Sequence, residues 1–445
     1  MSCSLSRALT LTVLALACCN SIAVAEDWPQ WMGPDRDGRY TETGVIESIP
    51  AGGLKKLWST PVEVGYSGPA VVGDKVYVTD YVKESGEIEN KPSSRDKLTG
   101  RERVLCLDAK TGKIVWEHSY KRSYAVSFGA GPRATPTVDG DHVFILGTEG
   151  DLTCLDRHRG KPVWHKSLVD EFPAAEGPIW GHSAHPLVVG DKVFCLGGPE
   201  SVAVALDRNT GETIWQTLTS SEIGYCPPAM LELGGKQRLM IWHPQSINAL
   251  DPETGEVVWT EPLKPSYGMS IAAPQLENNY MYASGIGNAA VMLQLNDAGQ
   301  PTERLWEGGT GRGVYAGNAT PIFSGGMIFG SDCGSGKFLA VDAKTGEQVW
   351  ETYELTSGGT RRASHGTAFV VKHPEQYFIF TETGDLVLAD LNREGFKVKG
   401  RVNLVEPTNS WQGRNVVWTH PAYANRCIYV RNDKEIACFD LSANQ

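Results

Sequence analysis

Apolar residues come in short runs broken by turn residues, and the runs repeat. Pro69-Ala-Val-Val-Gly-Asp-Lys-Val-Tyr-Val78 sets apolar stretches on either side of Gly-Asp, the pattern of a β-hairpin whose turn needs glycine. It returns as Pro136-Thr-Val-Asp-Gly-Asp-His-Val-Phe-Ile145 and as Pro186-Leu-Val-Val-Gly-Asp-Lys-Val-Phe-Cys195. A second pattern follows each hairpin. Cys106-Leu-Asp-Ala-Lys-Thr-Gly-Lys-Ile-Val-Trp116 recurs as Cys154 to Trp164, Ala205 to Trp215, Ala249 to Trp259 and Ala340 to Trp350. A looser copy, Gln294 to Trp306, has Asn296 for Asp and two extra residues. A degenerate copy at Leu388 to Val398 lacks the Trp, and Ala437-Cys438-Phe439-Asp440 stops short of it.

Trp-to-Trp spacings from Trp116 are 48, 51, 44, 47 and 44 residues. A period of this length with four short strands per unit predicts an all-β fold, a propeller with one blade per unit. The innermost strands are predicted to open at Pro69, Pro136, Pro186, Pro228, Pro274, Pro321, Ala368 and Pro421, which gives eight blades. The last unit lacks its Trp strand, whereas Leu54-Lys55-Lys56-Leu57-Trp58 is a Trp strand without a unit. The N-terminal strand is therefore expected to complete the last blade and remove the open sheet edges. Trp58, Trp116, Trp164, Trp215, Trp259, Trp306 and Trp350 read as wedges between blades. The recurring Asp108, Asp156, Asp207, Asp251 and Asp342 read as turn formers, since a catalytic group would be unique to one blade.

Composition adds compartment and partner class. Arg7, an apolar run from Ala8 to Cys19 and Ala23-Val24-Ala25 form the layout of a secretory signal, with cleavage expected after Ala25. A lipid-modified Cys18 or Cys19 is the alternative, because Leu16-Ala17-Cys18-Cys19 loosely resembles a lipobox. Domain organisation is thus expected as signal 1–25, a Trp/Pro-rich segment 26–53 and a propeller 54–445. No later segment is apolar enough to span a membrane as a helix. A net charge of −11 argues against a nucleic-acid surface. The seven cysteines after the signal are scattered and lack zinc spacing, so no metal site is expected from them. They read as small buried apolar groups, with a Cys427–Cys438 disulfide left open.

The A-x-D-x-x-T-G-x-x-x-W pattern resembles the tryptophan-docking motif of pyrroloquinoline-quinone (PQQ) repeat proteins, over essentially the whole chain after the signal. The resemblance implies one of two kinds of protein. One is the PQQ-dependent alcohol and sugar dehydrogenases. The other is the non-enzymatic propeller of outer-membrane β-barrel assembly, exported to the periplasm and docking protein partners. The dehydrogenases hold PQQ beside a disulfide of adjacent cysteines, over a Trp floor, with calcium bound by Glu, Asn and Asp. Here the only adjacent cysteines are Cys18-Cys19, and Asp35-Arg-Asp37-Gly38 lacks the rest of a calcium ligand set. The longest insertion, Lys83 to Arg103, is polar and reads as a solvated loop rather than a wall. A non-catalytic docking scaffold is therefore the expectation. A PQQ- and calcium-dependent oxidoreductase and a sugar- or polymer-binding propeller are the alternatives.

Residues three positions before each innermost strand should converge on the channel mouth: Tyr66, Arg133, Ser183, Tyr225, Ile271, Asn318, His365 and Trp418. Near them in sequence stand His182, His185, Tyr267, Tyr315, Arg361, Arg362 and His420. Two roles are open to this group. It could bind an anionic ligand through arginine, or it could be a hydrogen-bonded polar plug. Trp411 and Trp418, outside the docking motif, are candidates for a stacking platform or an interface. Asp27-Trp-Pro-Gln-Trp-Met-Gly-Pro-Asp-Arg-Asp-Gly38 is expected to pack across the rim or mouth, or to dock a partner.

Overall fold

The computed structural model describes residues 26–443. The signal, Cys18 and Cys19 lie outside them. Eight antiparallel sheets follow one another as blades of a propeller, seven of four strands and the first with a fifth, Tyr124–Val126, paired to Asp96–Asp108. The innermost strands begin at Ala70, Thr137, Leu187, Ala229, Gln275, Ile322, Ala368 and Ala422, within one residue of the expected openings. Blade 8 comprises Ala422–Ala424, Cys427–Arg431, Glu435–Asp440 and the N-terminal strand Lys56–Pro61, which pairs with Glu435–Asp440 and closes the ring.

Burial follows from the stacking of blades. A middle strand such as Ser201–Asp207 is covered on both faces and is buried from Val202 to Leu206. An outer strand such as Ile114–Lys121 alternates between half-buried and exposed positions because only one face meets a neighbour.

Each docking Trp hydrogen-bonds the next blade. Its Nε1 donates to a backbone oxygen: Trp58 to Ala109 at 2.8 Å, Trp116 to Arg157 at 2.9 Å, Trp164 to Arg208 at 2.9 Å and Trp215 to Pro252 at 3.1 Å. Trp259 reaches Gly299 at 3.0 Å, Trp306 reaches Ala343 at 2.7 Å and Trp350 reaches Asn392 at 2.8 Å. The motif glycine explains itself here. Gly160 has φ +66°, and a Cβ on it would lie 2.4 Å from Trp116 Cε3. Only glycine adopts that turn and lets the indole lie flat on it. The motif Asp caps the same turn: Asp108 Oδ1 accepts the Thr111 N–H and hydroxyl at 2.9 and 2.8 Å.

A β-bulge beside each docking Trp was not legible in the sequence. Cys106 faces Trp116 while Leu107 faces Ile114, so Val115 is left over. The same slip leaves over Leu57, Val163, Ile214 and Val349, all exposed. The extra residue rotates the strand and aims the indole at the next blade.

One expectation is corrected and one open question is answered. The stretch from Lys83 to Arg103 is not a solvated loop. Lys75–Ser85 and Asp96–Asp108 continue as paired strands, with Lys83 opposite Gly100 and Ser85 opposite Thr99. Their connection, residues 86–95, returns to the channel mouth. The Cys427–Cys438 disulfide is absent, since register sets Cys427 opposite Asp440 and Cys438 opposite Tyr429. Both thiols are free and buried, as are Cys106, Cys154, Cys195, Cys226 and Cys333.

Candidate functional site

The site is built on a floor supplied by the N-terminal segment. Trp28 exchanges backbone hydrogen bonds with Val71, both 2.8 Å, and Tyr40 N–H donates to Lys372 O at 2.9 Å. The segment thus ties blades 1 and 7 together across the channel. Arg36 turns inward with φ +55°. Its guanidinium is buried and donates to Pro228 O at 3.0 Å, His185 O at 3.2 Å and Pro186 O. With no carboxylate partner among the described residues, burial lowers its pKa to about 9.

Above this plug lies a cavity of about 690 Å³, within the roughly 300–1,000 Å³ usual for small-molecule sites. Trp31 is the residue of the N-terminal segment that lines it. All eight positions found by counting back from the inner strands line it as well: Tyr66, Arg133, Ser183, Tyr225, Ile271, Asn318, His365 and Trp418. His185 and His420 join them, together with the exposed Tyr267 at the rim. Four named candidates do not. His182 is buried to one side, its N–H donating to Thr148 O at 2.8 Å. Arg361 is exposed on the connection after blade 6 and is not among the lining residues. Tyr315 and Arg362 also lie outside the lining, Arg362 donating to Gly334 O at 2.9 Å.

Several walls were missed or only partly anticipated. Phe128, held at φ +55°, and Trp180 come from irregular connections without a periodic signal. Pro92 and Ser93 come from the extended hairpin of blade 1. A short hairpin, Asn409–Trp411 paired with Arg414–Val416, brings Trp411 to within 5.9 Å of Trp418, between ring centroids. Asn90 Nδ2 donates to Asn409 Oδ1 at 2.7 Å and joins these two roof elements. Being outside the docking motif was a usable signal. Of the six tryptophans not used in docking, Trp31, Trp180, Trp411 and Trp418 line the cavity.

The charges are spent or suppressed. Arg133 Nε donates to Trp180 O at 3.0 Å, Nη2 to Ser127 O at 2.8 Å and Phe128 O, and Nη1 to Gly131 O at 2.5 Å. Its guanidinium stands 5.4 Å from the Tyr66 ring centroid, and burial lowers its pKa. It braces the 127–131 loop and has little left for a ligand. His185 Nδ1 accepts the Thr135 N–H at 2.8 Å, and burial holds this imidazole well below its usual pKa. His420 Nε2 accepts the Trp31 Nε1–H at 3.1 Å, and burial lowers its pKa to about 3. His365 Nδ1 lies 3.2 Å from Cys333 Sγ, and burial, then Arg414, lower its pKa. Burial pushes the Cys333 thiol up to about 12, so the pair is neutral and the sulfur is not a thiolate.

The aromatic walls suit a flat molecule. The polar set does not suit PQQ with calcium: PQQ carries three carboxylates, and Arg133, the cation in the wall, is committed to carbonyls. None of the lining residues is Asp or Glu, and no three His, Cys, Asp or Glu side chains among the described residues are placed to share a metal ion.

An eight-bladed ring of tryptophan-docked repeats, plugged at its channel and open at an aromatic mouth, places the chain among the PQQ-like propellers. More narrowly, the chain belongs to the family described as outer membrane protein assembly factor BamB, whose pattern matches residues 100–352 and 243–445. A BamB of Xanthomonas campestris pv. campestris is 24% identical over 87% of this chain and 89% of its own. A polyvinylalcohol dehydrogenase of Sphingopyxis is 22% identical over 74% of this chain, which spans 59% of that relative's length. For a Pseudomonas polyvinylalcohol dehydrogenase the share is 40%. Among solved structures, BamB from Moraxella catarrhalis superposes with a TM-score of 0.57 at 18% identity, covering 87% of this chain and 97% of that one. A europium-containing methanol dehydrogenase gives 0.61 at 14%, covering 91% and 89%. At such identities the superpositions speak for the fold alone.

Proposed function

We propose that the protein is an exported, non-catalytic propeller that docks protein partners at its rim and channel mouth, in outer-membrane assembly as the family description has it. The observation that carries this reading is the state of Arg133: the cation in the cavity wall is spent on backbone oxygens, in a lining without carboxylates. A site for metal-assisted oxidation needs ligands and a base there. Export rests on the signal pattern of residues 1–25, and N-terminal sequencing of the secreted chain should begin at Glu26.

The second reading is a PQQ-dependent oxidoreductase of alcohols or sugars. It is favoured by the aromatic cavity, whose depth exceeds what rim docking needs, and by the polyvinylalcohol dehydrogenases among the relatives. One assay separates the two. Purified chain is incubated with PQQ and calcium and offered alcohols with an artificial electron acceptor. Dye reduction that depends on the cofactor would overturn the scaffold. No dye reduction and no PQQ-dependent rise in Tm, together with crosslinking to an outer-membrane assembly component, would support it.

A further inference from the structure

The cavity is more finished than a docking rim requires, and its chemistry is specific. We infer that the channel mouth binds a neutral carbohydrate, a short oligosaccharide laid on the tryptophans. This rests on the non-redox reading above and adds a ligand to it.

Three observations converge. First, the site is electrically quiet although the chain carries 52 acidic residues. Its lining has no carboxylate, its histidines are held neutral and its arginine is committed to carbonyls. An anion finds no free cation here, and a metal ion finds no ligand set. Second, Trp31, Trp180, Trp411 and Trp418 line one space, and Trp180 and Trp418 are the two that are only half-buried, with Trp31 and Trp411 packed behind. Aromatic faces of this kind pack on the C–H faces of sugar rings, which are apolar although the ring edges are polar. Third, the neutral polar groups in the wall are not used up. The lining includes Ser183, Trp180 and Asn318, whose hydroxyl, indole N–H and amide oxygen close no hydrogen bond to the described residues. With His185 Nδ1 an acceptor, the proton of that neutral ring is on Nε2, a further donor. A purely apolar guest would bury these groups unpaired. A sugar, with donors and acceptors on every edge, would pair them.

The test is titration of the full mature chain with cellobiose, maltose and N,N′-diacetylchitobiose, followed by tryptophan fluorescence and calorimetry. Saturable binding by at least one is expected. Asn318→Ala should weaken it by about threefold to tenfold, the effect of one hydrogen bond. Trp180→Leu should weaken it more, with circular dichroism and Tm confirming that both variants fold. Benzoate and 1-naphthoate serve as anionic aromatic probes. If none of the three sugars binds at about 10 mM, an affinity floor near 3 kcal/mol, or if the carboxylates bind in their place, the carbohydrate inference falls. The docking reading survives that result. It falls separately, on PQQ-dependent dye reduction.

Discussion

The indole of Trp31 lies flat on His185, with 4.9 Å between ring centroids and 11° between planes, while its N–H donates to His420 across the channel. One side chain from the N-terminal segment thus joins blades 3 and 8 and floors the cavity. Trp31→Ala should remove about 3–5 kcal/mol of stability, the usual cost of emptying a buried aromatic site. Urea unfolding checks this. A loss below about 1 kcal/mol would mean that the segment is not an integral floor.

Acid should destabilise the protein well before its carboxylates titrate. Burial lowers the pKa of His182 to about 4 and of His420 to about 3, and holds His185 well below its usual value. In the unfolded chain each titrates near 6.5. Below that pH the unfolded state binds more protons than the folded state, so stability falls as pH falls from about 6.5 toward 4. The slope is of order 1.4 kcal/mol per pH unit for each histidine. Tm measured between pH 7 and 4.5 should drop steadily, and less in His420→Gln, whose amide oxygen can still accept from Trp31. Equal slopes in the two proteins would refute this assignment.

Docking glycines should be far less tolerant than hairpin glycines. Gly346 has φ +76°, and a Cβ on it would stand 2.5 Å from Trp306 Cδ2; Gly325 has φ +64° with nothing within 4 Å. Gly325→Ala pays only for its backbone, about 1–2 kcal/mol. Gly346→Ala must also displace the indole and its bond to Ala343 O, for a total of about 3 kcal/mol or more. Denaturant midpoints of the two variants give the comparison, and similar losses would contradict it.

Two buried tyrosines should answer differently to loss of their hydroxyls. The Tyr282 hydroxyl donates to Val314 O at 2.7 Å and accepts from Val314 N at 3.0 Å. The Tyr225 hydroxyl lies near the Trp180 backbone without closing a hydrogen bond. Tyr282→Phe should cost about 1–3 kcal/mol, whereas Tyr225→Phe should be neutral within about 0.5 kcal/mol or stabilising. A costly Tyr225→Phe would mean that the hydroxyl is paired in solution.

What the sequence determined by itself is the ring. A motif repeated at a near-constant period states its geometry many times over, so blade number, inner-strand openings and closure by the Trp58 strand were all legible. So were the eight equivalent positions at the mouth, because a rotational repeat brings such positions to one axis. What only the tertiary structure decided is what those residues are free to do. In sequence Arg133 leaves two roles open, ligand clamp or hydrogen-bonded plug, and it is consumed by carbonyls at Ser127, Phe128, Gly131 and Trp180. Arg36 reads as part of an acidic turn, and it plugs the channel. His182 and Arg361 stand close to mouth residues along the chain and are not part of the lining. The physical reason is that repeats encode backbone path through local turns and periodic burial, whereas the availability of a polar group depends on every neighbour within hydrogen-bonding distance. Those neighbours come from other blades and from irregular connections, which follow no repeat.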